Sequence, residues 1–570
     1  MTVHKEKPWL KFYESHVPEH LDYPESTMPA ILEEMARKYP DHTALIFKGT
    51  EITFREYNEA VDRFAVALQG LGVKKGDRVA VHLLNIPQFP IAYYAVLRIG
   101  GIVVPCNPLY TARELRYQIK DSGAEVCVTL SLMYPRIKAI RSDTNLRHVI
   151  VANIKTYLPP ILKLLFTLLK EKKGGHRVDI SGDANTYWFT DMLAKAQAKP
   201  QPVAASLDDT AVLMYTGGTT GISKGAQLTH KNILVNAYQC KVWLNAEEGT
   251  ERSLTALPLY HSYAMTTCMN HSILTAAAMI LIPDPRDLED VLKNITQHKP
   301  TQYPGVPAMY VAINNYPDLS KYDVGSIKAC ISGAAGLPME VQKRFQELTG
   351  ARLVEGYGLS EASPVTHANP IFEGNRPGTI GVPWPDTEVK IVDLDTGEVA
   401  LGVGEMGELC VRGPQVMSGY WNNPAETANS LRSDPEGGAP WLHTGDIAVM
   451  DEDGYFKIVD RKKDMILGAG GLNVYPREIE DVLYEYPTVM EVAAAGIPVE
   501  GKGERPKVYI VLKPGETATK EEIIAFCKEN LAPYKVPKFV EFRSDLPKTT
   551  VGKILRRVLV EEDKAKMAAQ

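Results

Sequence analysis

The amino-acid sequence predicts an α/β protein of at least two domains. Strand-like and helical segments alternate over the first 130 residues, which places parallel strands in a sheet with helices on its faces. At 570 residues the chain exceeds what one hydrophobic core supports. Its apolar fraction of 45% and charged fraction of 23% are globular values and exclude a disordered or fibrous protein.

Taken in order, residues 44–54 read as a hairpin turning at Lys48-Gly49-Thr50. Thr53 and Glu56 then form a capping box, and Tyr57, Ala60, Val61, Phe64, Ala65 and Leu68 recur at helical spacing up to Gly70 and Gly72. Residues 78–84 are strand-like, 87–99 helical and 102–106 strand-like; Thr111 and Glu114 open another helix, and 125–130 is again a strand. Residues 226–228 are extended, and Thr229 caps a helix running toward Cys240. Near the C-terminus the pattern gives a helix at 476–484, strands at 492–496 and 507–513, a helix capped by Thr519 and Glu522, and a strand at 536–542. No internal repeat is visible.

A net charge of −6 with nearly balanced signs carries no basic footprint, so no nucleic-acid partner is expected. Seven scattered cysteines form no C-x-x-C pair and suggest neither a disulfide framework nor a zinc site. The N-terminus lacks the apolar core of a signal peptide and no run is long enough to span a bilayer, so a cytoplasmic protein is expected. Residues 157–173 are the most apolar patch and end in Lys170, Lys172 and Lys173. Two placements are open for them: in a membrane interface, giving peripheral membrane association, or buried against their own domain.

The densest chemical signal is residues 213–230, where an apolar run breaks into glycines, hydroxyls and a lysine. Gly217, Gly218, Gly221 and Gly225 let backbone N–H groups converge on an anion; Thr216, Thr219 and Thr220 add hydroxyls and Lys224 adds charge. A solvated turn seldom concentrates such residues. The order Ser223-Lys224 is not the Gly-Lys-Ser/Thr of the common NTPase loop, and a loop joining two extended segments differs from their strand-to-helix loop.

Further motifs follow: Leu-Pro-Leu-Tyr-His at 257–261, Ser-Gly-Ala-Ala at 332–335, Glu-Gly-Tyr-Gly-Leu-Ser-Glu at 355–361, Thr-Gly-Asp at 444–446, Asp-Arg-Lys-Lys-Asp at 460–464 and Pro-Lys-Thr-Thr-Val-Gly-Lys-Ile-Leu-Arg at 547–556. With these motifs in this order, from about residue 30 to about 560, the chain resembles the adenylate-forming superfamily: acyl-CoA synthetases, adenylation domains of peptide synthetases and firefly-type luciferases. The resemblance implies a large N-terminal AMP- and acyl-binding domain over residues 1–459, built of α/β sheet subdomains plus a small β-barrel-like part. A hinge at 460–464 and a small mobile α+β domain at 465–570 would follow.

It also implies roles. Thr216 and Glu361 would hold Mg²⁺ between ATP phosphates, as oxygen ligands suit that cation. The nucleotide would lie against Thr216, Gly217, Gly218, Thr219, Thr220, Gly221 and Lys224. Ser332, Gly333, Ala334, Ala335 and Glu355 would line the adenine slot with Tyr357 stacked on adenine, and Gly356, Ser360 and Lys553 would also belong to the nucleotide site. Asp446, an acceptor-only carboxylate, would take the ribose hydroxyls with help from Arg461. Lys553 would neutralise the acyl carboxylate and α-phosphate and belongs, with His261, Thr216 and Glu361, to the expected catalytic set. Lys463 falls at the hinge, and Gly468, Gly470 and Gly471 form a loop able to approach CoA.

The implied reaction joins a carboxylic acid to CoA at the expense of ATP, through an acyl-adenylate, with small-domain rotation about Lys463 between the half-reactions. Amino-acid-activating relatives carry an aspartate near 257–265, and residues 260–265 have none. Gly217 in place of serine, Ser223 in place of proline, and flexible, apolar Met265 where some fatty-acyl members have a gating tryptophan resemble medium- and long-chain acyl-CoA synthetases. An aryl-acid ligase, a luciferase-like oxidoreductase and a catalytically silent ATP-binding protein are the alternatives, the last disfavoured by Thr216, Glu361, Asp446, Arg461 and Lys553 occurring together. A homodimer is open.

Overall fold

The computed structural model describes residues 6–196, 199–216, 223–434, 437–467, 473–499, 504–549 and 552–568. At its centre is an eight-stranded sheet in the order Gly419–Tyr420, Lys224–Thr229, Thr210–Thr216, Ile102–Pro105, Arg78–His82, Val126–Leu130, His148–Ala152 and Thr186–Trp188. The six strands from Thr210–Thr216 onward run parallel, and the first two join antiparallel. Helices over both faces keep these parallel strands dry, which is why Val126–Leu130 is buried at every residue.

All three predicted Thr/Glu capping boxes form and open the helices Phe54–Gly70, Ala112–Ser122 and Lys520–Asn530. The helix expected at 87–99 spans Gln88–Arg98, and Thr229 caps His230–Trp243, with Asn232 completing the box.

Two four-stranded sheets follow. One runs Arg252–Thr255, Ala278–Leu281, Thr43–Phe47, Thr50–Thr53; the other runs Ala329–Ser332, Arg352–Gly358, Val365–Ala368, Val382–Pro383. Gln302 bridges Ser253 and Ala329 and ties them together. Where the barrel-like part is expected there is a five-stranded antiparallel sheet of Glu388–Val392, Gly407–Arg412, Leu431–Arg432, Trp441–Met450 and Phe456–Arg461.

The small C-terminal domain packs the helices Pro476–Tyr484, Lys520–Asn530 and Arg556–Ala568 around a three-stranded sheet of Val489–Pro498, Glu504–Leu512 and Phe539–Phe542. Its last helix begins at Arg556. The reason is local: Gly552 at φ +74° turns the chain, and Thr549 N–H donates to Lys553 O at 2.8 Å. Lys553 therefore sits in a turn ahead of the helix.

Most of residues 160–170 are not buried against their own domain. Residues Pro160–Leu165 are α-helical and Phe166–Lys170 continue as a wider π turn. Ile161, Leu162, Leu164, Leu165, Leu168 and Leu169 are 45–75% exposed. The segment is nonetheless anchored: buried Glu171 pairs with Lys155 at 2.7 Å, and Phe166 packs edge-on against His176. Among the described residues no helix is long and apolar enough to cross a membrane.

Candidate active site

Strands Thr210–Thr216 and Lys224–Thr229 pair with Thr216 opposite Lys224, so the two flanks of the glycine loop stand side by side. Ser223 Oγ donates to Thr216 O at 2.8 Å, and Tyr215 O–H donates to Asp121 at 2.6 Å. Gly225 packs closely: a Cβ there would lie 3.1 Å from the Tyr215 ring and 3.5 Å from Trp421. Gly217, Gly218, Thr219, Thr220 and Gly221 lie outside the described residues, as do Gly468, Gly470 and Gly471. Lys224 is not free. Its ammonium pairs with Glu426 and stands 5.6 Å over the Tyr420 ring.

Thr216 and Glu361, 145 residues apart, meet: the threonine hydroxyl donates to Glu361 Oε1 at 3.3 Å. Tyr420 O–H donates to the same oxygen at 2.8 Å. Hydroxyl and carboxylate oxygens form a hard donor set of the kind Mg²⁺ takes, and that ion needs only one or two protein carboxylates beside phosphate and water. The residues fit the ion.

Asp446 is buried on the strand Trp441–Met450, paired in register with Arg461, whose Nε reaches Oδ1 at 3.1 Å. Tyr357 O–H donates to Oδ2 at 2.5 Å while its ring packs edge-on against His367. The residues expected at adenine and at ribose thus form one connected group. Gly333 follows the strand Ala329–Ser332 and backs onto Tyr263, Ala334 is exposed at φ +68°, Gly356 presses against Ile331, and Ser360 Oγ meets Ser262 Oγ at 2.9 Å. Glu355 turns inward: it accepts from Leu337 N–H at 3.1 Å and faces Arg477 Nη2 at 3.8 Å. Burial pushes its carboxyl up to about 7, against the pull of Arg477.

Half-buried Lys553 is brought from the small domain into electrostatic range of His261, Arg461 and Asp446. Burial, then Arg461, push its ammonium down to about 7, with Asp446 opposing. Burial, then Lys553, push His261 down to about 4, so the imidazole is neutral at pH 7; its ring accepts from Tyr263 N–H at 3.2 Å. Gly552 lies against Val306 and Ala308 of the large domain. Lys463 is exposed in the turn after Arg461, closed by Asp464 N–H donating to Arg461 O at 2.9 Å.

Tyr420, Glu426 and Arg477 are neighbours of the expected site residues that no sequence motif marks. Each reaches its partner from a remote segment, and no spacing rule links Gly419-Tyr420-Trp421 to Glu361. The one available hint was a second short extended stretch, Gly419–Tyr420, which pairs with the strand after the loop.

Comparison with known proteins accounts for this arrangement. Residues 32–421 match the AMP-binding enzyme family and 478–553 match the AMP-binding enzyme C-terminal domain. The long-chain-fatty-acid–CoA ligase of Bacillus subtilis is 47% identical over 564 residues, covering 98% of this chain and 99% of the relative. The protein of the same name from Salmonella typhimurium is 41% identical over 577 residues, at 98% and 99% coverage. Among solved structures, ATP-bound MatB from Rhodopseudomonas palustris overlays with a TM-score of 0.82 at 29% identity, covering 95% of this chain and 99% of MatB; the apo form of MatB overlays at 0.72 with the same identity and coverage. A shared sequence over nearly the whole length and a shared fold lead to one conclusion: the chain belongs to the AMP-binding enzyme family of adenylate-forming ligases.

Proposed function

We propose that this protein is an ATP-dependent acid–CoA ligase that converts a medium- or long-chain fatty acid, ATP and CoA into acyl-CoA, AMP and pyrophosphate through an acyl-adenylate. The observation that carries the reading is geometric: Thr216 meets Glu361, and Asp446 is held by Arg461 and Tyr357, with the charge of Lys553 from the small domain felt at His261. The fatty-acid assignment draws on the names of the relatives that match over the full chain.

In this reading Asp446 and Arg461 hold the ribose, Tyr357 lies along the adenine, and the loop with Lys224 receives the phosphates, displacing Glu426 from the lysine. Thr216 and Glu361 would hold Mg²⁺, which when bound neutralises charge on the phosphates. The acid's carboxylate attacks the α-phosphorus and pyrophosphate leaves; Lys553 balances the charge gathered on the carboxylate and α-phosphate. Neutral His261 lines the acyl side of the site without adding a competing cation. Two observations support reading this pose as the adenylating one: Lys553 is in place, and the ATP-bound relative overlays more closely than its apo form. Rotation about Lys463 would then bring Gly468, Gly470 and Gly471 to the adenylate so that the CoA thiol attacks it. ATP–pyrophosphate exchange across C2 to C20 and aromatic acids tests the assignment: a response confined to aryl or very short acids overturns the fatty-acid reading and keeps the ligase.

The protein is read as cytoplasmic with peripheral membrane contact through 157–173. Six exposed leucine and isoleucine side chains, with exposed Lys163, Lys170, Lys172 and Lys173 beside them, suit a surface of anionic lipid from which acyl chains are drawn. A homodimer through the same face is the rival use of this helix.

A further inference from the structure

The pose of Lys553 depends on how the small domain sits, and one residue of that domain reaches across at the adenine side. Arg477 is the second residue of the helix Pro476–Tyr484. Its guanidinium faces Glu355 Oε1 at 3.8 Å and occupies the space left by the missing side chain of Gly336: a Cβ built there would lie 2.2 Å from Nη2 and 2.8 Å from Cζ. Glu355 in turn accepts from Leu337 N–H, so the surface Arg477 meets is held in place. Its backbone N–H donates to Asp460 Oδ2 at 2.8 Å, while Asp460 Oδ1 accepts from Arg461 N–H at 2.7 Å.

The same helix grips the segment that carries Lys553. Glu480, one turn beyond Arg477, takes Arg556 through Nε at 3.1 Å and Nη2 at 2.6 Å, and Arg556 Nη1 also reaches Asp464 at 3.3 Å. Arg556 is three residues after Lys553, and between them the turn is braced by Lys553 N–H donating to Thr549 Oγ1 at 3.1 Å. The helix Pro476–Tyr484 therefore connects the contact on Glu355 and Gly336, through the Glu480–Arg556 pair, to the segment that carries Lys553.

Resting on the ligase reading, we propose that Arg477 is a positioning residue for adenylation: by docking on Glu355 in the groove at Gly336 it sets the small domain so that Lys553 reaches the reacting carboxylate and α-phosphate. In this role it is assigned no contact with the reacting groups. Its effect falls on the half-reaction that uses Lys553, and a displacement on the order of 1 Å there costs about a hundredfold in rate.

The test measures both half-reactions of the full chain: ATP–pyrophosphate exchange with a fatty acid, and thioester formation from CoA and supplied acyl-adenylate. Arg477→Ala is expected to lower kcat of exchange about ten- to a hundredfold with KM for ATP within about threefold, and to leave thioester formation within about threefold of wild type. Arg477→Lys, which keeps the charge, should recover part of the loss. Gly336→Ala approaches from the other domain: its methyl expels the guanidinium without altering Arg477, so it should reproduce the phenotype, and the Arg477→Ala/Gly336→Ala double variant should be no worse than the single one. Equal losses in both half-reactions, unchanged exchange in Arg477→Ala, or additive losses in the double variant overturn the proposal. Should Arg477→Ala fail to fold, Gly336→Ala and Arg477→Lys still decide it. A wild-type protein silent in exchange with every acid would instead overturn the ligase reading itself.

Discussion

Tyr357 donates its hydroxyl to Oδ2 of Asp446 at 2.5 Å while Arg461 Nε holds Oδ1 at 3.1 Å, so both carboxylate oxygens are oriented before any ribose arrives. Tyr357→Phe keeps the ring and removes the donor. A hydrogen bond to a charged group contributes about 1.5–3 kcal/mol, so ATP binding should weaken about tenfold or more, read by calorimetric titration. Unchanged affinity would mean that Arg461 alone orients Asp446.

Tyr420 stands in the same relation to Glu361, donating at 2.8 Å to the oxygen that Thr216 also reaches. Tyr420→Phe frees that carboxylate to rotate. The Mg²⁺ concentration for half-maximal pyrophosphate exchange should rise several-fold, by roughly 1 kcal/mol of lost orientation, while the acid's KM stays put. An unmoved Mg²⁺ curve would remove Tyr420 from the site.

Lys553→Ala is expected to abolish adenylation and leave thioester formation from supplied acyl-adenylate largely intact; equal loss in both would falsify the assigned role. A pH profile tests the same group. Because Lys553 is pushed down to about 7, its ammonium is present below that pH and lost above it, so kcat/KM for ATP should fall on the alkaline side of about 7. Lys553→Arg stays charged and should carry that limb to higher pH. Glu355 titrates nearby, so an unmoved limb in Glu355→Gln assigns the limb to the lysine.

Glu355 itself predicts a stability trend. Its folded value of about 7 lies above the ordinary carboxyl value of 4.5, so the folded state binds the proton more tightly. This group's contribution is therefore fully present below about 4.5 and is lost as pH rises through 7, by at most about 3 kcal/mol. Glu355→Gln should gain thermal stability relative to wild type between pH 5 and 8, measured by paired melting curves; a constant difference across that range would contradict the burial argument.

The helix around Leu164 and Leu168 gives a surface prediction. Leu164→Glu with Leu168→Glu changes two of the most exposed apolar side chains, so folding and exchange with a soluble short-chain substrate should be unaffected. Co-sedimentation with vesicles containing anionic lipid should drop about tenfold or more. Retained sedimentation, or a change of oligomeric state on gel filtration instead, would turn the helix into an interface between copies.

The alternation of strand and helix, several helix starts and the order of the family motifs are legible in the sequence. Each is written locally: Thr53 with Glu56, Thr111 with Glu114 and Thr229 each cap from a few residues away, and apolar periodicity records which face is buried. It does not record which other segment covers that face. Tyr357 on Asp446, Tyr420 on Glu361 and Arg477 on Glu355 are polar pairs made between distant segments, so they leave no periodic signal and only the tertiary structure decides them. The same holds for residues 157–173, whose composition fits a buried or an exposed helix equally well. What settles them is that the domain's own core closes at Phe166, His176 and the Lys155–Glu171 pair, leaving the leucines outside.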